Sequence, residues 1–102
     1  MRLALLPEAF LEVDETIAFY EGQRAGLGVD FYLEVEATIE LAADSPGVGS
    51  PISGARGRLL LRKYPVRRFP FLVWVAGGGD ERRVVAVAHA SREPGYWRDR
   101  LK

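Results

Sequence analysis

The chain has no cysteine. Disulfides, thiolate nucleophiles and zinc–thiolate sites are therefore excluded, and the composition fits a reducing, cytoplasmic setting. It has one histidine. A two-histidine metal site is out, and no carboxylate pair has ligand spacing, so neither a metal nor a cofactor is expected. No apolar run approaches the ~20 residues that a membrane-spanning helix needs. The short apolar patch at residues 3–6 lacks the length and cleavage site of a signal peptide. Gly77, Gly78 and Gly79 lack the lysine and helix that would make them a phosphate loop. Neither an internal repeat nor a low-complexity segment is present.

What is there fits one domain. A chain of 102 residues buries roughly two-thirds of its unfolded surface, enough for a core without staples. The formal net charge is zero, but the total hides an asymmetry: residues 1–50 hold ten acids and two bases, and residues 51–102 hold four acids and twelve bases. The two halves can attract each other within one fold. They can also present a basic surface to an anionic partner.

The pattern predicts a first strand over residues 2–6. Pro7 suits the first position of a helix, with Glu8 in its first turn. Phe10, Val13, Ile17 and Tyr20 recur at three and four, giving one apolar helical face. Gly26 and Gly28 interrupt. A second helix follows with Phe31, Val35, Ile39 and Ala42 inward and Asp30, Glu34, Glu36 and Glu40 solvated, so the two helices form an antiparallel hairpin. A proline- and glycine-rich loop from Ser45 to about Gly57 ends it. Strands are predicted over residues 59–64, 71–76 and 82–89. Pro65 and Pro70 bracket a bend, and Gly77 to Asp80 a hairpin turn. The apolar run at 84–88 reads as a central strand buried on both faces. Pro94 favours a short final helix through Tyr96, Trp97 and Leu101. The fold class is α+β, strand–helix–helix–strand–strand–strand with a short C-terminal helix. The helix hairpin packs on a mixed, largely antiparallel sheet whose other face is basic.

The candidate chemistry lies in the second half. Arg56, Arg58, Arg62, Lys63, Arg67, Arg68, Arg82, Arg83 and Arg92 interleave with Tyr64, Phe69, Trp74, Tyr96 and Trp97. Guanidinium forks suit phosphates and aromatic faces suit unpaired bases, though strand aromatics also serve as core. His89 is a general-base candidate or a hydrogen-bonded structural histidine. Ser91 lies close to it, but that spacing is no evidence of a nucleophile–base pair.

Four stretches carry a resemblance. They are Phe19-Tyr20-Glu21 with Gly26-Leu27-Gly28 and Phe31; Pro46 with Gly49 and Pro51; Tyr64-Pro65-Val66-Arg67-Arg68-Phe69-Pro70-Phe71; and residues 84–89 with Arg92, Pro94, Gly95, Tyr96, Trp97 and Arg98. In order and spacing they resemble toxins of the RelE/ParE superfamily of bacterial type II toxin–antitoxin systems, over nearly the whole chain. The resemblance implies a cytoplasmic, growth-inhibiting toxin of the plasmid-stabilisation kind, neutralised by a cognate antitoxin with an acidic tail. It implies an antitoxin groove at Phe10, Val13, Ile17, Tyr20, Arg58 and Arg62. It also implies no sequence-specific DNA binding, a task left to the antitoxin.

The superfamily divides by target. RelE-like members cut messenger RNA on the ribosome by 2′-hydroxyl attack on the adjacent phosphate, with cations stabilising the charge. Here the residues for that role are His89, Arg92, Tyr96, Arg62 and Lys63. ParE-like members bind and poison DNA gyrase without being enzymes. Ala90-Ser91 stand where nucleolytic relatives carry basic residues, and the C-terminal block is worded more like ParE. The expected target-binding residues are then Arg67, Arg68, Arg92, Tyr96 and Trp97. A third reading is a non-toxic toxin-fold partner of an antitoxin.

Overall fold

The computed structural model describes residues 2–52 and 60–101. A two-residue strand β1 (Ala4–Leu5) leads into helix α1 (Pro7–Gln23) and helix α2 (Leu27–Asp44). A short strand β2 (Ser50–Pro51) follows, then β3 (Leu61–Pro65), β4 (Phe71–Ala76) and β5 (Arg83–His89). The five strands form one mixed sheet in the order β1-β5-β4-β3-β2. β1 runs parallel to β5, and every other pairing is antiparallel. The architecture is α+β, with two helices packed on one face of the sheet.

The hairpin turns where Gly26 adopts φ +88°, a conformation that side chains disfavour. Gly26 has no capping side chain, so α2 begins with orphan amides. Glu21, on α1, supplies the cap from outside. Its carboxylate accepts the amides of Gly26 and Gly28 at 2.9 and 3.0 Å. A Cβ at Gly28 would meet the Ile17 carbonyl at 2.6 Å, so only glycine lets the two helices approach this closely. At the other end Arg82 donates to the carbonyls of Ala42 and Ala43, at 2.7 and 3.0 Å. That cation meets the negative end of the α2 dipole.

The core between helices and sheet takes Phe31, Val35, Ile39 and Ala42 from α2, as their spacing predicts. From α1 it takes Ala9 and Val13, with Ile17 and Tyr20 packed at its edge. Phe10 is a correction: it is 64% exposed. Ala9, four residues before Val13, holds the inward position that the larger side chain was expected to hold. Tyr20, Phe31, Phe69 and Phe71 pack ring on ring, with centroids 4.9–6.1 Å apart. The two buried rings, Phe31 and Phe69, each contribute about 1.5–3 kcal/mol of transfer free energy, and the half-buried Tyr20 and Phe71 less.

Four further expectations are corrected. First, β5 lies between β1 and β4, so β4 is the central strand. Residues 84–88 are nonetheless all buried. A β-bulge explains the unbroken apolar run, because Trp74 pairs with Ala86 while Val75 pairs with Val84. Val85 is the extra residue, and it and Ala86 both face away from the helices. Second, that face is not an open basic surface. Trp74, Ala76, Val85 and Ala86 form a smaller core there, closed by Trp97 with Leu6, Leu61, Leu72 and Leu101 at its margin. Third, the closing segment is turns ending in a 3-10 helix (Arg98–Leu101) rather than a helix through Trp97. Fourth, Asp30, Glu34 and Glu36 are half-buried, in ion pairs with Arg68 and Arg2. The first strand is shorter than the pattern suggests, and β2 arises inside the expected loop. The predicted strand residue Leu59 and the candidates Arg56 and Arg58 lie outside the described residues. Among the described residues no helix is long and apolar enough to cross a membrane.

Candidate functional site

β1 pairs with β5 only at Ala4–Arg83 and Leu5–Val84. Leu6 donates its amide to the Val84 carbonyl at 2.9 Å, and Pro7 then turns the chain into α1. Beyond this point one edge of β5 has no neighbouring strand among the described residues, and unpaired backbone groups there must find other partners. Side chains provide them. Glu12, on α1, accepts the Val87 amide at 3.0 Å. Arg100, from the 3-10 segment, donates to the Val85 carbonyl at 3.0 Å. The two side chains also meet each other in a two-pronged ion pair at 2.9 and 3.1 Å. Such charge-assisted, bidentate pairs are the strong ones, and both side chains here are about four-fifths shielded from solvent.

Tyr96 completes the cluster. Its hydroxyl donates to the second oxygen of Glu12. Its ring lies between two guanidinium groups, Arg92 at 4.0 Å and Arg100 at 5.0 Å from the centroid. Burial pushes the phenol well above its ordinary value of 10.0, and the hydrogen bond to Glu12 adds to the rise. The Arg100 guanidinium is likewise pushed above its ordinary value, chiefly through its hydrogen bonds to Glu12. Tyr96 is therefore a protonated hydrogen-bond donor across the physiological range. It is badly placed to abstract a proton.

A recess of about 210 Å³ opens beside this cluster, lined by Glu12, Glu15, Thr16, Phe71, Val87, Ala88, His89 and Arg92. His89 is exposed, at the end of β5, with its ring 5.4 Å from that of Phe71. Its Nδ1 accepts the Ser91 amide at 3.0 Å and lies 2.7 Å from the Ser91 hydroxyl. The neutral ring then carries its proton on Nε2. Of the two carboxylates lining this recess, Glu12 is already paired with Arg100, which leaves Glu15 against Arg92 and no surplus of positive charge for a phosphodiester.

The remaining nuclease candidates lie elsewhere. Arg62 and Lys63 are neighbours on β3, so their side chains leave opposite faces of the sheet. Arg62 donates to the Gly49 carbonyl at 2.5 Å, and Tyr64, buried beside it, donates to the Pro46 carbonyl at 2.9 Å. Together they hold the turn before β2. Lys63 lies 6.0 Å over the Trp74 ring on the far face. A second cavity, about 270 Å³, is lined by Pro46, Leu60, Arg62, Tyr64, Val75, the three glycines 77–79 and Arg82. Its two arginines are both engaged with backbone carbonyls.

Of the expected binding residues, Arg67 is exposed in the turn between β3 and β4. Arg68 beside it has φ +69°, the only non-glycine among the described residues in the left-handed region. Its guanidinium stands 3.6 Å from Asp30 and 3.9 Å from Glu34. Arg92 is exposed, while Trp97 is a correction: at 2% exposure it is a core residue packed on Trp74. Among the described residues of the expected antitoxin groove only Phe10 is exposed; Val13 is buried, Arg62 is half-buried, and Ile17 and Tyr20 pack against the core. Sequence reasoning named Arg82 among the basic candidates without foreseeing that it caps α2, and it missed Glu12 and Arg100 as site residues. Glu12 sits a quarter-turn from the apolar stripe of α1, where an acid ordinarily means solvent. Nothing in its neighbours reveals that a strand edge runs past it. Among the described residues no cluster of three His, Asp or Glu side chains could hold a metal ion.

A scan against protein-family models gives no match, and a search of curated proteins gives none either.

Proposed function

We propose that this chain is the toxin of a type II toxin–antitoxin pair, of the ParE-like kind, inhibiting growth by binding an essential target rather than by catalysis. DNA gyrase is the first target to test, and a cognate antitoxin neutralises the toxin in the cytoplasm. The motif order of the sequence supports the superfamily, and a helix hairpin on a mixed sheet is the architecture that the resemblance implies. Within the superfamily, one observation carries the choice of a binding toxin. The residues a nuclease of this kind would use are split: His89, Arg92 and Tyr96 gather beside one recess, while Arg62 and Lys63 stand apart from it. Arg62 and Lys63 leave opposite faces of β3, Tyr96 is held protonated on Glu12, and His89 is tied to Ser91 beside two carboxylates. An enzyme that stabilises a crowded phosphate needs its cations and its proton donor around one atom. What remains accessible is a basic rim, Arg67, Arg68 and Arg92, suited to a macromolecular contact.

The test is direct. The purified chain is added to gyrase in a supercoiling assay and, separately, to a translation reaction whose messenger is read by primer extension. Loss of supercoiling without new 5′ ends is expected. Unchanged supercoiling at high excess excludes gyrase, and new 5′ ends replace this reading with the endoribonuclease.

A further inference from the structure

Helices α1 and α2 contain ten acidic residues and no lysine, arginine or histidine. On α2, Val29, Leu33, Ala37 and Leu41 are spaced by four, and all are exposed, the three larger ones at 57%, 57% and 45%. Residues four apart stack into one ridge along a helix surface. The core-facing side chains Phe31, Val35, Ile39 and Ala42 lie on the opposite side. The exposed row is therefore an apolar ridge running the length of α2, and among the described residues nothing lies upon it. The adjacent row, Tyr32, Glu36, Glu40 and Asp44, has the same spacing of four. Glu36 is paired with Arg2, while Glu40 and Asp44 are exposed. On the other flank Asp30 and Glu34 face Arg68.

We infer that this ridge is the docking surface for a cationic amphipathic helix of a protein partner. That helix has an apolar face at i, i+3, i+4 and i+7 and lysine or arginine along its edge. An i, i+4 ridge is the shape a second helix packs on, and the apolar stripe gives the partner a reason to leave water. Charge selects among occupants. A second copy laid on the same ridge would set one acidic helix pair against another, with no cation in either helix to offset the repulsion. An anionic membrane or nucleic acid would be repelled by two helices that hold ten acids and no cation of their own; Arg2, Arg24 and Arg68 reach α2, where they pair with Glu36, Asp30 and Glu34. A cationic helix meets the acidic row with its edge and the ridge with its face. The inference does not rest on the toxin reading and differs from the groove that the resemblance implies. It lies on α2 rather than α1, and it calls for a basic segment rather than an acidic one.

The test uses the full chain and a designed 18-residue helical peptide, leucine on one face and lysine at its edges, with a leucine–glutamate peptide of the same pattern as control. Binding is measured by fluorescence anisotropy and mapped by amide chemical shifts. Tight, salt-sensitive binding of the lysine peptide is expected, with shifts confined to the outer rows of α2. Leu33→Ser with Leu41→Ser should weaken it by at least about tenfold, as should Glu40→Lys with Asp44→Lys. All four positions are exposed, and circular dichroism and the melting temperature verify the fold of each variant. Equal binding of the glutamate peptide, or of the leucine variants, overturns the proposal. So does concentration-dependent dimerisation that Leu33→Ser with Leu41→Ser abolishes, which makes the ridge a self-contact. So does Leu33-dependent binding to phosphatidylserine vesicles, which makes it a lipid contact.

Discussion

Glu12 is the residue on which the C-terminal end of the molecule depends. One carboxylate accepts from the Val87 amide, the Tyr96 hydroxyl and both prongs of Arg100. Replacing it with the neutral isostere, Glu12→Gln, leaves a guanidinium without its counter-charge in a mostly shielded place. A loss of about 2 kcal/mol in unfolding free energy is expected by urea titration, with faster hydrogen exchange at the Val87 amide. Unchanged exchange there would mean that the clamp is incidental. Tyr96 makes a second prediction at this scale. Its folded pKa is raised above 10.0, first by burial and then by Glu12. Above the unfolded value the folded state therefore binds more protons than the unfolded one, and unfolding free energy must fall as pH rises through that window. The stabilisation is fully present below it. Tyr64 is raised by burial too, so the informative quantity is a difference. Tyr96→Phe should lose less stability than the parent between about pH 9 and about pH 11. Identical losses would contradict the assignment.

At the scale of elements, two kinds of signal are at work. The α2 core face is written in its spacing, and so are β4 and β5, because apolar periodicity reflects burial directly. Position 10 fails because periodicity alone cannot choose between Ala9 and Phe10, which differ by one residue in phase. The bulge at Val85 is invisible for a related reason: an unbroken apolar run carries no phase at all. β2 contains a proline and two residues, too little for any pattern. Trp97 is legible as apolar but not as buried, since the face it covers is set by the bulge. Arg62 and Arg82 read as solvated or functional cations, and Arg100 is not singled out by the sequence at all. They act as caps on backbone carbonyls, and those carbonyls are exposed by the topology rather than by local sequence. The strand prediction is sharp: Val85→Asp places a charge in the smaller core with no partner, a cost that exceeds the stability of an ordinary domain of this size. The variant should lack a cooperative melting transition. A folded, soluble Val85→Asp protein would show that the second face is open.

At the scale of the whole molecule, the acidic and basic halves of the chain meet across the fold. Arg100 reaches Glu12, and Arg68 reaches Asp30 and Glu34. Part of the asymmetry is thus internal. The remainder divides the surface into two helices with no cation of their own and a rim with Arg67 and Arg92 exposed. Arg67→Ala with Arg68→Ala should reduce growth inhibition while leaving the melting temperature nearly unchanged. Surface ion pairs of this kind contribute at most about 1 kcal/mol, and Arg67 is exposed. Full toxicity in that double variant would place the target contact elsewhere.

The measurement that bears most directly on the central claim is pulse labelling of DNA and protein synthesis in the first minutes after tightly induced expression of the chain alone in bacteria. A binding toxin of the gyrase-poisoning kind predicts that DNA synthesis falls first, with a damage response and intact messenger RNA. Protein synthesis falling first, with cleaved messages, would contradict it, and so would unimpaired growth at high expression of the folded protein.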